Sequence, residues 1–592
     1  MQFARPFSSL VDVLRYRAAE HPGDKAYAFL SERGGEEAAL TFAELERRAA
    51  TLAGRLAAGA KRGDRALLVF PPGLEFIEAF FGCLVAGLVP VPMMVPRRVS
   101  ARDSSTAIVA DCTPRIALTT RALADVRPDI IERFRQAGLA WEIVEPQRAP
   151  ADVTAAAFPA PTAEDLAFLQ YTSGSTSSPK GVMVTHGNLL ANLEMIRTTL
   201  AYTRASTHVS WVPLHHDMGL ILNVLETHFI GALCVLMSPP GFIKRPHEWL
   251  RAIGAYRAQV TSAPNFAYDL CVSRFRAESM KGVDLSCWKE AVNAAEPVRA
   301  DTIARFCTTF QPYGFNPGAM RPLYGLAEAT LLVSAARASG AGAVVRGVSR
   351  AALQSQRIDA PIDRADEQAV VGCGRTVAGQ AIAIVDPQTA KRLQPDQIGE
   401  VWVSGPSVAC GYWRNAEATN ATFRARIEGE SREYWLRTGD LGFLDGAGEL
   451  FITGRIKDVI IINGINHYPQ DIEHTVQESH PALRRDHGAA FGILDQNNVE
   501  RLVIVQEVER TARKTVESDD IAGCIREALF DAHELSAYRI VLIPPGELPK
   551  TTSGKIQRNL TRTLWQQGSL TEVGRNEGHA GPGSIPSATA AG

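Results

Sequence analysis

Cysteine is sparse and unpatterned in this chain. Nine are scattered over 592 residues with no CxxC pair and an odd total, which argues against a disulfide framework and a zinc ribbon and points to a reducing cytoplasm. A surplus of charge is missing too: 62 lysines and arginines stand against 64 aspartates and glutamates, a net charge of −2. That balance carries no polyelectrolyte signature, so no nucleic-acid partner is expected. The longest uncharged apolar run, "AFFGCLVAGLVPVPMMVP" at residues 79 to 96, is broken by three prolines and two glycines and closely follows Glu75 and Glu78. It reads as a buried helix running into a strand or turn, not as a membrane span. The N-terminus lacks the apolar core and cleavage site of a secretory signal, and no internal repeat recurs at a fixed spacing.

What is present is hydrophobic substance, 46% of the residues, enough for several domains or subdomains. Thr41 and Glu44 form a capping box ahead of apolar Phe42, Leu45, Leu52 and Leu56, so a helix is predicted from there. "GDRALLVFPP", "LAFLQYTSG", "ALCVLMSPP" and "AQVTSAPN" each read as a buried strand bounded by turn residues. Mostly parallel sheets with crossover helices follow. After about residue 372, short strands separated by Gly, Pro and Asp suggest a small, largely antiparallel sheet or barrel. Residues 459–565 read as a small α/β domain, and 566–592 as a polar, Gly-rich disordered tail.

The stretch "YTSGSTSSPKGVMVTH", residues 171 to 186, sets small hydroxyl residues and glycines before one lysine. Between a strand-like and a helix-like run, such a loop can wrap a phosphate chain with backbone N–H groups and hydroxyls, with Lys180 as the positive charge. The spacing does not fit GxxxxGK[ST]. A mobile surface linker with a stray lysine is the plain alternative.

Four further segments bear on the choice. "PLYGLAEAT" offers Tyr324 to stack on a base and Glu328 to hold magnesium against phosphate oxygens; each could equally be a core aromatic and a solvated charge. "LRTGDLGFL" sets Asp440 in a tight turn where a carboxylate can accept both hydroxyls of a ribose. "TGRIKD" adds Arg455, a fixed fork of donors. "LPKTTSGKIQR" presents Lys555 after a Ser-Gly turn, with Lys550 as a decoy.

The loop, "YGLAEAT", "TGD", "GRIKD" and "PKTTSGK" occur in the order seen in the adenylate-forming superfamily of acyl-CoA synthetases, peptide-synthetase adenylation domains and luciferases, over roughly residues 10 to 565. Within it, "VPLHHDMGLI", "NAAEPV", "YGLAEATLLVS", "GCGR" and "INGINHYPQDIE" resemble the fatty acyl-AMP ligases more than the CoA ligases. The family often has Arg where Ile465 stands and Gly where Ala294 stands.

The resemblance implies an α/β fold: two doubly wound subdomains plus a β-rich subdomain (372–456) in a large domain 1–456, a hinge at Lys457 and Asp458, and a mobile C-terminal domain. It implies attack of a fatty carboxylate on the α-phosphorus of MgATP, loss of pyrophosphate, and acyl transfer to the phosphopantetheine of a holo-acyl carrier protein acting in trans. Mg2+ and ATP are thus the implied cofactor and co-substrate. Carried over by motif, Thr172, Ser173, Gly174, Ser175, Thr176 and Lys180 cradle the β- and γ-phosphates. Glu328 holds the metal, and Tyr324 with Gly325, Ala295 and Glu296 contacts the nucleotide. Asp440 and Arg455 take the ribose, and Lys555 reaches the α-phosphate and carboxylate oxygens in the transition state. By resemblance His215 and His216 lie near the acyl entrance or carboxylate, with His216 counted among the catalytic residues beside Lys555 and Glu328; His216 and Asp217 could instead simply cap the following helix. His467, His474, His480 and His487 share no metal spacing and read as structural or exposed.

Residues 345–370 form the candidate family-specific insertion, expected to brace the large domain against the thioester-forming arrangement with CoA. An acyl-CoA synthetase shares every ATP-site residue named and is the nearest rival; a silent acyl- or nucleotide-binding homologue is the third reading. No carrier segment is read after residue 565, so the carrier is expected as a separate protein.

Overall fold

The computed structural model describes residues 7–96, 104–136, 138–145, 160–172, 179–336, 342–431, 434–462, 465–495, 499–510, 518–551 and 554–573. The chain divides into two compact units, one comprising the chain to Leu353 with Arg357–Thr453, the other Gln354–Gln356 with the chain from Gly454 onward. The division falls slightly ahead of the expected end of the large domain at residue 456, and it puts Arg455 in the second unit.

In the first unit the strands Val89–Met93, Arg65–Val69, Ile116–Thr120 and Ala140–Val144 lie side by side in that order, all parallel. Pro90 and Pro92 are tolerated because Val89–Met93 is an edge strand of this sheet. The apolar run before them is the helix Glu75–Val85, ten of whose eleven residues are buried against protein. Among the described residues no helix is long and apolar enough to cross a membrane. The capping box holds as read: Glu44 N–H donates to Thr41 Oγ1 (3.2 Å) and Thr41 N–H to Glu44 Oε2 (2.9 Å), opening the helix Phe42–Ala57.

Beside a two-stranded sheet of Leu166–Thr172 and Lys180–Thr185, the unit holds a larger, fourteen-stranded sheet. Lys25–Leu30, Cys234–Met237, His208–Ser210, Val260–Ala263, Glu290–Asn293 and Met320–Gly325 form its parallel part. Met320–Gly325 then pairs antiparallel with Leu332–Ala335, and from there antiparallel pairing takes over through Glu367–Thr376 to Ala381–Val385. The antiparallel texture read after residue 372 is therefore correct, but the separate small sheet is not: those strands continue the parallel sheet. The tight return at Gly325 makes the junction, and a Cβ there would lie 2.0 Å from Leu331 O. Within the insertion, Val345–Ser349 pairs antiparallel with Glu367–Thr376, and only Arg350–Gln354 is helical. Asp366 pins the connection by accepting from Ala351 N–H and Ile362 N–H.

The second unit is built on the strands Leu483–Leu494, Glu500–Val508 and Ala537–Ile543, the first pair antiparallel and the second parallel. Helices Pro469–Glu478 and Ser518–His533 bury Ile472, Val476, Ile521, Ile525 and Leu529 in one core. Its ordered part runs past residue 565: Val573 N–H donates to Leu542 O (2.8 Å) and Glu572 pairs with Arg539 (2.9 Å). The expected tail therefore cannot begin at 566, and residues 574–592 lie outside the described residues.

Candidate active site

The phosphate-type loop joins two strands. Leu166–Thr172 and Lys180–Thr185 pair antiparallel, Thr172 opposite Lys180, and the helix begins only at His186, capped by Thr185 and Asn188. The loop thus does not feed a helix N-terminus, and a helix dipole cannot be what attracts phosphate at this loop. Ser173, Gly174, Ser175 and Thr176 lie outside the described residues; Thr172 and Lys180 are the feet on which they stand. Gly181 is needed beside Lys180 because a Cβ there would lie 2.8 Å from the Tyr171 ring. The Tyr171 hydroxyl in turn donates to Asp111.

Lys180 and Glu328, distant in sequence, meet on one side chain. The Lys180 ammonium lies 4.7 Å from the centroid of the Tyr412 ring. The Tyr412 hydroxyl donates to Glu328 Oε1 (2.9 Å). Glu328 sits in the short turn Ala327–Ala329 after the strand Met320–Gly325, and its carbonyl accepts from Ala409 N–H (2.9 Å). Burial, then the Glu328 carboxylate, pushes the Tyr412 hydroxyl well above the usual phenol range, so it stays a donor. Tyr412 escaped the sequence reading because "ACGYWRN" resembles any aromatic turn.

Tyr324 comes from the same strand and donates its hydroxyl to Asp440 Oδ2 (2.7 Å). Both side chains are buried. Asp440 does not sit in the tight turn expected of it: it lies within the strand Leu436–Leu444, paired to its neighbour on either side of this position, and its N–H donates to Thr438 Oγ1 (3.1 Å). At the end of a neighbouring parallel strand, Ala295 has φ +72 and Glu296 Oε1 accepts from Phe266 N–H (2.6 Å). A non-glycine residue there is strained, as is Thr330 at φ +67, which follows Glu328 closely. Such strain collects where surrounding structure fixes a functional geometry.

His215 and His216 stand in the turn before Met218–Leu225, which is π-helical and entirely buried before it continues as Glu226–Ile230. Asp217 caps it, accepting from Met218 N–H (2.7 Å), and His216 Nδ1 lies 2.6 Å from the same Asp217 oxygen. The capping reading therefore holds for Asp217, with His216 leaning on the cap. The widened helix is held by Asn223, which donates to Met218 O (3.1 Å), five residues back.

Residues 14–413 match the AMP-binding enzyme family, and residues 457–574 match the AMP domain of Disco-interacting protein 2-like. The medium-chain-fatty-acid–[acyl-carrier-protein] ligase JamA of Moorena producens (strain JHB) is 44% identical over 574 residues, covering 95% of this chain and 96% of that protein. The putative fatty-acid–CoA ligase fadD25 of Mycobacterium tuberculosis (strain ATCC 25618 / H37Rv) is 37% identical, covering 96% and 99%. A fatty acid AMP ligase from Legionella pneumophila superposes with a TM-score of 0.72 at 39% identity, covering 95% of this chain and 97% of that one. Another structure, from work on fatty acyl-adenylate ligases of E. coli and L. pneumophila, reaches 0.83 at 31% identity, covering 95% and 98%. The chain belongs to the fatty acyl-AMP ligases of the adenylate-forming superfamily.

Two residues expected at the site of such a ligase belong to the second unit. Arg455 ends the strand Glu449–Arg455 and is exposed. Lys555 closes a turn in which its N–H donates to Thr551 Oγ1 (3.0 Å) and its carbonyl accepts from Thr551 N–H (2.8 Å). At the expected hinge, Asp458 lies 3.5 Å from Arg558, which also grips Glu473 through two 2.6 Å bonds. All nine cysteines are free thiols. Among the described residues no group of three or more His, Cys, Asp or Glu is placed to hold a metal. A lone carboxylate such as Glu328 nonetheless suits magnesium, which keeps most of its coordination for water and substrate phosphate.

Six histidines of this ligase are held neutral by desolvation. His186 and His467 are lowered to about 4, and His208, His215, His228 and His487 to about 3. Burial also raises Glu78, Glu226 and Glu449 above their ordinary value and Glu290 to about 7. Below pH 6.5 the unfolded chain protonates six imidazoles that the folded chain keeps neutral, so stability falls as pH falls. The four glutamates act oppositely, since the stability they contribute is lost as pH rises through their raised values. The histidines outnumber them, and stability is expected to fall by about 2 kcal/mol per pH unit between roughly pH 6 and 5. Urea midpoints against pH test this, and H208Q should flatten the slope.

Proposed function

We propose that this ligase converts a medium- or long-chain fatty acid to its acyl-adenylate and passes the acyl group to a holo-acyl carrier protein supplied in trans. The observation that carries it is the pairing of Lys180 and Glu328 across Tyr412, beside the Tyr324–Asp440 pair, in a chain that matches a fatty acid–carrier protein ligase over 95% of its length. A related ligase from L. pneumophila, 38% identical, has been crystallised with acyl adenylate and pyrophosphate.

The chemistry joins two anions, so the site must neutralise charge and hold them in line. A carboxylate oxygen of the fatty acid attacks the α-phosphorus, the bond to the β-phosphate bridging oxygen breaks, and pyrophosphate leaves. Thr172, Lys180 and the hydroxyl loop between them receive the β- and γ-phosphates. Glu328 would hold Mg2+, which when bound neutralises phosphate oxygens. Asp440, fixed by Tyr324, takes the ribose hydroxyls together with Arg455, and Tyr324, Gly325, Ala295 and Glu296 line the adenine side. Lys555, carried over by motif, supplies charge to the α-phosphate and carboxylate oxygens as the transition state forms, and Lys457–Asp458 is the hinge on which its domain turns. His216, carried over by motif, would act near the acyl entrance or carboxylate. In the second step the phosphopantetheine sulfur attacks the acyl carbon and AMP leaves.

The test is a mass-spectrometric product assay with MgATP, dodecanoic acid and excess CoA. Dodecanoyl-AMP accumulating without dodecanoyl-CoA supports the acyl-AMP ligase reading; complete conversion to dodecanoyl-CoA overturns it and removes the bracing role of residues 345–370.

A further inference from the structure

We propose that Tyr412 is a positioning residue shared by the two charged groups at the phosphate end of the site: its ring seats the Lys180 ammonium and its hydroxyl aims the Glu328 carboxylate. The inference rests on the phosphate reading above and adds a residue that no motif in the sequence marks.

The segment around Tyr412 is stitched to both partners. On one side it extends the strand Lys180–Thr185: Met183 N–H donates to Gly411 O (2.9 Å), Cys410 N–H to Met183 O (3.1 Å) and Trp413 N–H to Gly181 O (2.7 Å). On the other, Ala409 N–H donates to the Glu328 carbonyl (2.9 Å). Any shift of one partner therefore moves the backbone that carries Tyr412, and through it the other partner.

The side chain itself is fixed. Tyr412 is buried, packs edge-on against Phe423 at 5.0 Å between centroids, and donates its backbone N–H to Thr419 Oγ1 (2.9 Å). Gly411 lets the chain close on Thr419, whose Cγ2 would lie 2.4 Å from a Cβ there. A ring held this way presents its negative face to the ammonium and its hydroxyl to the carboxylate at once. Phenylalanine could do the first and not the second; an aliphatic side chain could do neither. One residue thereby sets the separation between the cation that meets phosphate and the carboxylate suited to its metal.

The experiment is calorimetric titration of ATP into the full-length protein without fatty acid, so that no turnover occurs, once in EDTA and once in excess Mg2+. Tyr412→Phe should bind metal-free ATP within about twofold of wild type but lose about five- to tenfold of the gain that Mg2+ gives. Tyr412→Leu should additionally weaken metal-free ATP by about three- to tenfold. The phenylalanine variant removes one buried atom and decides the hydroxyl arm by itself even where the leucine variant does not fold. Equal weakening of both titrations by Tyr412→Phe, or no change in either, overturns the proposal. Lys180→Ala and Glu328→Gln locate the failure. If they weaken MgATP binding while the Tyr412 variants do not, the positioning role alone is wrong; if they too bind like wild type, the phosphate reading is wrong and the proposal falls with it.

Discussion

Replacing Lys555 with alanine lowers the turnover number for pyrophosphate release by about two to three orders of magnitude, with the KM for ATP changed by no more than about fivefold. Removing one preorganised group that meets charge only in the transition state costs about 3–4 kcal/mol, and the cost appears in kcat because ground-state binding never used it. The turn itself is kept, since both hydrogen bonds that Lys555 makes in it with Thr551 use backbone atoms of Lys555. Lys550→Ala is the control of like charge loss five residues away and should retain most activity. A Lys555→Ala enzyme that keeps wild-type kcat, or one that loses affinity for ATP in proportion to rate, would sink the transition-state role.

Asp440→Ala should lower kcat/KM for ATP by about a hundredfold, because two ribose hydroxyls each lose a charge-assisted bond of about 1.5 kcal/mol. Its effect is separable from that of Tyr324. Tyr324→Phe removes only the hydroxyl that donates to Asp440 Oδ2; it should lower stability by about 1 kcal/mol and cost less than about fivefold in kcat/KM. The decisive comparison uses 2′-deoxy-ATP. The wild type should discriminate against it by about tenfold and Asp440→Ala hardly at all, since the acceptor that reads the hydroxyl is gone. Equal discrimination by both proteins would place the ribose elsewhere.

Local signals carried most of what the sequence made legible. The Thr41–Glu44 box is four residues long and contains its own explanation. Lys180, Glu328, Tyr324 and Asp440 each stand in a short motif that can be read locally, although only Glu328 of the four lies in a turn, and the structure joins them in two pairs inside one unit. Tyr412 is different: its meaning comes from Glu328, 84 positions away, and nothing near it in the chain records that contact. The strand Lys180–Thr185 was hidden by its brevity, because six residues followed at once by a capped helix merge into one apolar pattern. The continuity of the large sheet was hidden for a related reason, since a pairing such as Ser334 with Thr376 is a long-range event between two strands that look unremarkable alone.

The antiparallel feet of the hydroxyl loop, Thr172 opposite Lys180, make its length adjustable without moving the charge it delivers. In a loop that runs into a helix, each inserted residue shifts the helix or must be absorbed by strain. Between two strands already clamped in register, an insertion only enlarges a closed ring, and two extra residues cost about 0.2 kcal/mol in closure entropy. If this loop receives phosphates as proposed, loop-length variants of this ligase would change which polyphosphates it accepts, with Lys180 and the strand behind it left in place.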